Sequence, residues 1–196
     1  MHNSMKNNDE EYDSFNNTYD EKPEMFGHPY KELQDYFNKS TKRGTLLDLG
    51  CGQGRDSIYL SSLGYQVTAV DISKVGINQM RNKAQSQGLE IDGIVHDIQN
   101  LKLQRKFDVI LFDMLLHGFE NQIQLELLGK YSNSLNKDGI LCIIYPDDFQ
   151  AEHFMNLLKS LPTNWNLLEE ITVNDVPKIE GEAIDFKFKM MVAQLS

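Results

Sequence analysis

The chain has 196 residues, a formal net charge of −10 and 40% hydrophobic residues, enough for one domain with a core and too few for two comfortable ones. The acid excess argues against nucleic acid as a partner, which would call for clustered Lys and Arg; the densest basic cluster holds only Lys102, Arg105 and Lys106. No apolar stretch approaches the length that spans a bilayer, and the N-terminus has neither the basic start nor the hydrophobic segment of a secretory signal, so no membrane contact and a cytoplasmic location are expected.

In chain order, residues 1–18 are dense in Asn, Asp, Glu and Ser. Such a segment buries too little apolar surface to offset the entropy of ordering, and it is expected to be a mobile polar arm, with one domain over 19–196. Tyr19 to Tyr30 is aromatic and punctuated by Pro23, Gly27 and Pro29, and a helix is expected from Tyr30 to Lys39. Strand-like apolar runs follow at Thr45–Leu49, Gln66–Val70, Glu90–Val95, Phe107–Phe112 and Gly139–Tyr145. Helical spacing is expected over Asp56–Leu63, over Ser73–Gln87 with Ser73 as N-cap, over Asn121–Leu135, and over Asp148–Leu161 ahead of Pro162. This alternation implies right-handed crossovers and a parallel sheet covered on both faces. After Pro162 the rhythm changes to two strands, Asn166–Val173 and Asp185–Leu195, that predict an antiparallel pair closing the sheet. Cys51 and Cys142 make neither a disulfide framework nor a zinc site.

The most informative stretch is Leu46-Leu-Asp-Leu-Gly-Cys-Gly-Gln-Gly-Arg-Asp56. A buried strand breaks into glycines at every second position and then enters a helix, which makes a nucleotide-sized notch. The dinucleotide fingerprint is G-x-G-x-x-G. Here the spacing is G-x-G-x-G, with Arg55 at the place of the fingerprint's third glycine. Asp48 inside the strand disfavours a pyrophosphate and suits a ligand that carries an ammonium group. Asp71, about twenty residues further on at the end of the second strand, can accept both hydroxyls of a ribose.

Asp48, Gly50, Cys51, Gly52 and Gly54 together resemble the (D/E)-x-G-x-G-x-G motif of class I S-adenosylmethionine-dependent methyltransferases. That resemblance implies an α/β, Rossmann-like three-layer sandwich with a mostly parallel seven-stranded sheet and a C-terminal antiparallel hairpin. It implies S-adenosylmethionine as cofactor, with Asp48 and the glycine loop on the methionine end and Asp71 on the ribose. Ile72 would pack on the adenine, and Asp97 with Ile98 would flank it after the third strand. Asp113, ending the fourth strand where the methyl group emerges, is counted with the cofactor residues. The fourth strand has neither the D-P-P-Y type of motif nor a Pro-Cys pair, so DNA is not the expected acceptor.

The segment from Tyr19 is similar to the opening of small-molecule methyltransferases of the tellurite-resistance and thiopurine type, which walls an acceptor pocket. Tyr19, Phe26, His117 and Tyr145 are therefore expected in that pocket, with His117 as candidate general base. The same aromatics could equally anchor the first helix, and His117 could equally shape a loop. Asp113, Asp147 and Asp148 would suit an oxygen-ligated Mg²⁺, while Asp148 also reads as a helix N-cap; no metal is expected. The predicted activity is methyl transfer to a small molecule by a monomer or homodimer. A non-catalytic cofactor-binding or partner-binding module, and a nicotinamide-dependent oxidoreductase, are the alternatives.

Overall fold

A computed structural model describes residues 8–41, 43–147, 151–174, 178–179, 182–183 and 187–196. Two helices come first, α1 (Asn8–Glu21) and α2 (Lys31–Lys39). The alternating core runs β1 (Thr45–Leu49), α3 (Arg55–Ser62), β2 (Gln66–Asp71), α4 (Lys74–Ser86), β3 (Ile91–Val95), β4 (Phe107–Asp113), α5 (Asn121–Ser132), β5 (Leu135–Pro146) and α6 (Ala151–Ser160). A 3-10 turn, Leu116–Gly118, joins β4 to α5. Four strands close the chain: β6 (Trp165–Val173), the short β7 (Lys178–Ile179) and β8 (Glu182–Ala183), and β9 (Phe188–Leu195).

The main sheet has the order β3-β2-β1-β4-β5-β9-β6. β1 to β5 are mutually parallel, and β9 runs antiparallel between β5 and β6. The order reverses direction at β1 and β4, the switch point where open α/β sheets bind ligands. Period-two alternation sends Leu47, Ile110 and Ile143 to the face under α5 and α6, and Leu46, Val109 and Ile144 to the face under α2, α3 and α4. Asp48 and Asp113 share the parity of the second set, so both carboxylates are delivered to the α3 side of the two central strands.

The expected strands and helices are present with shifted ends. α5 stops at Ser132 instead of Leu135 because Leu135 already pairs with Phe107 and opens β5. Ser73 caps α4, its hydroxyl accepting from Gly76 N at 3.0 Å. Asp148, the expected start of the sixth helix, lies outside the described residues. The larger departure is N-terminal: much of the expected arm is helix α1. Phe15 and Tyr19, one turn apart on one helix face, set their rings 6.1 Å from each other. Asn16 Oδ1 accepts from Ser73 Oγ at 2.8 Å and from Val75 N at 3.1 Å. A polar composition is here compensated by docking onto α4.

Candidate cofactor site

The chain turns sharply out of β1. Gly50 and Cys51 both donate to Val70 O, at 2.8 and 3.0 Å, which folds the loop onto the neighbouring strand. Gly50, Gly52 and Gly54 all have positive φ, the last at 80°. A Cβ at Gly54 would lie 2.7 Å from Met80 Cβ, so α4 packs where a side chain would be. Gly54→Ala should therefore lower stability by about 2–5 kcal/mol, the left-handed backbone and the overpacking adding together. Gly27→Ala, also at positive φ but with nothing within 4 Å, should cost only about 1–2 kcal/mol. Paired thermal melts of the two variants check the difference.

Asp71 holds the loop in place. Its Oδ2 accepts from Gly52 N at 2.8 Å and its Oδ1 from Ser73 N at 2.7 Å. Each oxygen keeps a further lone-pair site for a ligand hydroxyl. Burial raises this carboxyl, and the two backbone bonds oppose that rise. Ile72 beside it is half-buried.

Asp48 is buried beneath the loop and accepts from Ser57 Oγ at 2.5 Å. It underpins the loop from below and presents no open face to a ligand. Burial, then the nearby Asp56, push its carboxyl up from the usual 3.8 to about 7. A raised carboxyl stabilises the fold fully below the unfolded value and loses that contribution as pH rises through the folded one. The protein should therefore lose on the order of 3–4 kcal/mol between about pH 4 and pH 8 from this group. Asp48→Asn should flatten that part of the pH profile in urea titrations.

Arg55 is the central residue that sequence reasoning passed over as a missing glycine. Its guanidinium bonds Asp56 through Nε at 3.0 Å and Nη2 at 2.8 Å, and the same Nη2 reaches Asp113 Oδ2. It lies over the Tyr30 ring, 4.2 Å from the centroid. The Arg55 and Asp113 side chains are only 12% and 10% exposed. Asp113, expected among the cofactor residues, is thus paired with an arginine, and its buried Oδ1 has no hydrogen-bond partner among the described residues. No local pattern announces this pairing, since Arg55 opens α3 and Asp113 ends β4.

Tyr19 and Phe26 lie above the loop. A Cβ at Gly52 would be 3.0 Å from Tyr19 Oη and 3.5 Å from a Phe26 ring carbon. Gln53, inside the glycine loop, ties this roof down: its amide donates to Lys22 O at 2.9 Å and accepts from Met25 N at 2.9 Å. Gln79 Nε2 adds a bond to Tyr19 O at 2.8 Å, and Lys83 pairs with Glu24 at 2.9 Å. Burial raises the Tyr19 hydroxyl well above its usual value, with Asp71 adding to it, so it stays protonated. Gln53 and Asn16 were also missed, because their partners lie far away in sequence.

The remaining expected residues divide. Asp97 accepts from Gln99 N at 2.8 Å and from Asn100 Nδ2 at 2.7 Å, closing the turn after β3. Ile98 is buried in the core, and its carbonyl takes the Tyr131 hydroxyl at 2.7 Å. His117 is half-buried in the turn after β4. Tyr145 is fully buried against Phe154, with centroids 5.0 Å apart. It supports the end of β5 from within the core, where a pocket wall was expected. Asp147 faces Lys189 at 3.6 Å, and Asp148 lies outside the described residues.

The family model described as "Methyltransferase domain" matches residues 40–187. A probable S-adenosyl-L-methionine-dependent methyltransferase TehB of Haemophilus influenzae is 29% identical over 193 residues, covering 84% of this chain and 68% of its own length. A ubiquinone biosynthesis O-methyltransferase of Pelagibacter ubique is 37% identical over 106 residues, 54% of this chain and 43% of the relative. Among solved structures, TehB from Haemophilus influenzae superposes with a TM-score of 0.72 at 22% identity, over 93% of this chain and 67% of that one. Magnesium protoporphyrin IX methyltransferase from Synechocystis, solved with bound S-adenosylmethionine, gives 0.77 at 14% identity over 100% of both. At these identities the structural likeness shows the fold, and the matched family covers most of the chain. With the glycine loop and the Asp71 cradle at the sheet's switch point, the chain belongs to the methyltransferase domain family and is a class I S-adenosylmethionine-dependent methyltransferase.

Proposed function

We propose that the protein methylates a small-molecule acceptor in a space roofed by its own N-terminal segment. The observation that carries this reading is the placement of Tyr19 and Phe26 directly over Gly52, with Tyr19 only 5% exposed. A roof that close confines what can approach the loop, and it suits a compact acceptor better than a polymer. The small-molecule methyltransferases among its relatives support the same choice.

The residues fit the cofactor. Asp71 offers two oxygens with spare acceptor sites for ribose hydroxyls. α3 starts without a side-chain cap, leaving N–H groups suited to a carboxylate. Among the described residues, Asp48, Asp56 and Asp113 outnumber the Arg55 they lie around, an acid excess that suits a ligand with cationic groups. When bound, S-adenosylmethionine supplies an activated methyl group on a sulfonium. The chain's own work is then to bind and to orient: Asp71 holds the ribose, the glycine loop over Asp48 the methionine end, and Ile72 with Asp97 and Ile98 the adenine. Tyr19, Phe26 and His117 exclude water and position the acceptor, whose alignment can carry much of the acceleration. We place the activity in the cytoplasm, in a monomer or homodimer. None of the described helices is long and apolar enough to cross a membrane.

Incubation with methyl-labelled cofactor and an extract split into small-molecule, protein and nucleic-acid fractions tests the reading. Label is expected in the small-molecule fraction. Label confined to polymer would overturn it.

A further inference from the structure

The buried ion cluster at the ends of β1 and β4 is unbalanced. Two carboxylates, Asp56 and Asp113, share one guanidinium on Arg55. Asp113 Oδ2 is engaged, whereas its Oδ1 is buried without a hydrogen-bond partner among the described residues. Leaving a buried charged oxygen unpaired is costly, and the cost is relieved either by a nearby positive charge or by a proton. Class I chemistry supplies both in turn. Transfer of a methyl group to an acceptor X–H breaks the sulfonium C–S bond and forms X–C. The C–S electron pair stays on sulfur, one positive charge disappears from the site, and one proton is released.

We propose that Asp113 carries the reaction's proton: ionised while the cofactor's sulfonium charge is in the site, and protonated on Oδ1 once that charge is gone. The assignment rests on the methyltransferase reading and deepens it, because it selects acceptors that give up a proton, O–H or N–H, on methylation. Arg55 is a positioning residue. It fixes Asp113 through Oδ2, leaves Oδ1 as the basic atom, and is itself held by Asp56 and the Tyr30 ring. Arg55 and Asp56 from α3, Asp48 from β1, Tyr30 before α2 and Cys142 from β5 are the ionisable groups around this carboxyl. Burial holds Asp113 well above the usual carboxylate range, Arg55 opposes that rise, and Asp56 adds to it. The free site thus stands ready to take up a proton and to release it to an arriving cation. The fourth-strand acid then has a chemical role without a metal ligand set and without His117 as the base.

The test needs no knowledge of the acceptor. S-adenosylmethionine and S-adenosylhomocysteine differ by one methyl group and one positive charge, so proton exchange common to both cancels. Calorimetric titrations of each ligand in buffers of different ionisation enthalpy give the protons exchanged on binding. In the wild type, the sulfonium ligand should release up to about one proton more than the demethylated one. The ratio of the homocysteine ligand's Kd to the methionine ligand's should rise with pH, by up to about tenfold per unit. In Asp113→Asn the difference should vanish.

Equal proton exchange for the two ligands in the wild type overturns the assignment, as does an undiminished difference in Asp113→Asn, which would put the proton on another group. Absence of binding by either ligand would overturn the cofactor-site reading as well, and so separates the two failures. A second measurement on unmodified protein guards against a variant that does not fold. The infrared difference spectrum between the two complexes should show a protonated-carboxyl C=O band with the demethylated ligand, and its absence counts against Asp113 equally.

Discussion

Arg55→Met should lower the unfolding free energy by about 3–5 kcal/mol near pH 8, the range expected when one partner of a buried ion pair is removed. The substitution keeps much of the apolar stem that packs in the interior, so little of the loss comes from volume. It strips from Asp56 and Asp113 the cation that bonds them together, and removes the charge stacked over Tyr30 at 4.2 Å. The tyrosine hydroxyl, pushed up to about 12 chiefly by burial and then by Asp113, is already neutral and offers no replacement charge. The sign of the pH effect distinguishes charge from packing. Without Arg55 the Asp113 carboxyl is raised further, and the variant should recover stability as the pH falls and that group takes up a proton. A packing defect would persist unchanged. Urea unfolding at about pH 5 and pH 8 measures both; a loss independent of pH would show that the guanidinium acts only as filler.

Asp71→Ala should weaken S-adenosylmethionine binding by about 100-fold or more. Hydrogen bonds to a charged group contribute about 1.5–3 kcal/mol each, and two ribose hydroxyls are proposed to donate here. The effect on the free protein should be smaller but present, because Gly52 N and Ser73 N lose the oxygens they bond at 2.8 and 2.7 Å. Asp71→Asn separates the two roles. The amide keeps one acceptor oxygen for one backbone donor, but turns an N–H₂ toward the other, so it should bind cofactor weakly while unfolding closer to the wild type. Calorimetry with the cofactor and thermal melts on the same samples check the split. Tight binding by Asp71→Ala would remove the ribose role altogether.

Local pattern was enough for the sheet and for the backbone of the cofactor cradle. β1 coincides with its apolar run from Thr45 to Leu49, and the expected glycine notch is there, with Gly50, Gly52 and Gly54 all at positive φ. Asp71 falls at the last position of β2, where an acid meets the loop. These features are legible because each depends on contacts between near neighbours and on a steric rule that a short window contains. Helix α1 was not, for the complementary reason. Its composition predicts an arm, and what orders it is a set of bonds from Asn16 and Tyr19 to α4. Only its Phe15 and Tyr19, one turn apart, hinted at a helix face. Strand ends shifted where a partner strand extended pairing, as Leu135 does with Phe107.

Side-chain assignments show the same division more sharply. Asp48, Asp113, Asp97 and Tyr145 were each read from position along a strand, yet position says only which end a residue reaches. Which atoms it meets depends on the neighbour brought in by the fold: Ser57 for Asp48, Arg55 for Asp113, Asn100 for Asp97 and Phe154 for Tyr145. The sequence by itself determined a parallel α/β sheet with a glycine cradle and acids at successive strand ends, because hydrophobic period and glycine sterics act over a few residues. Tertiary structure alone decided that Arg55 joins Asp56 to Asp113 and that the N-terminal helix roofs the loop. Charge pairing and docking in a buried, low-dielectric space depend on distances between segments far apart in the chain, and those exist only after the sheet has closed.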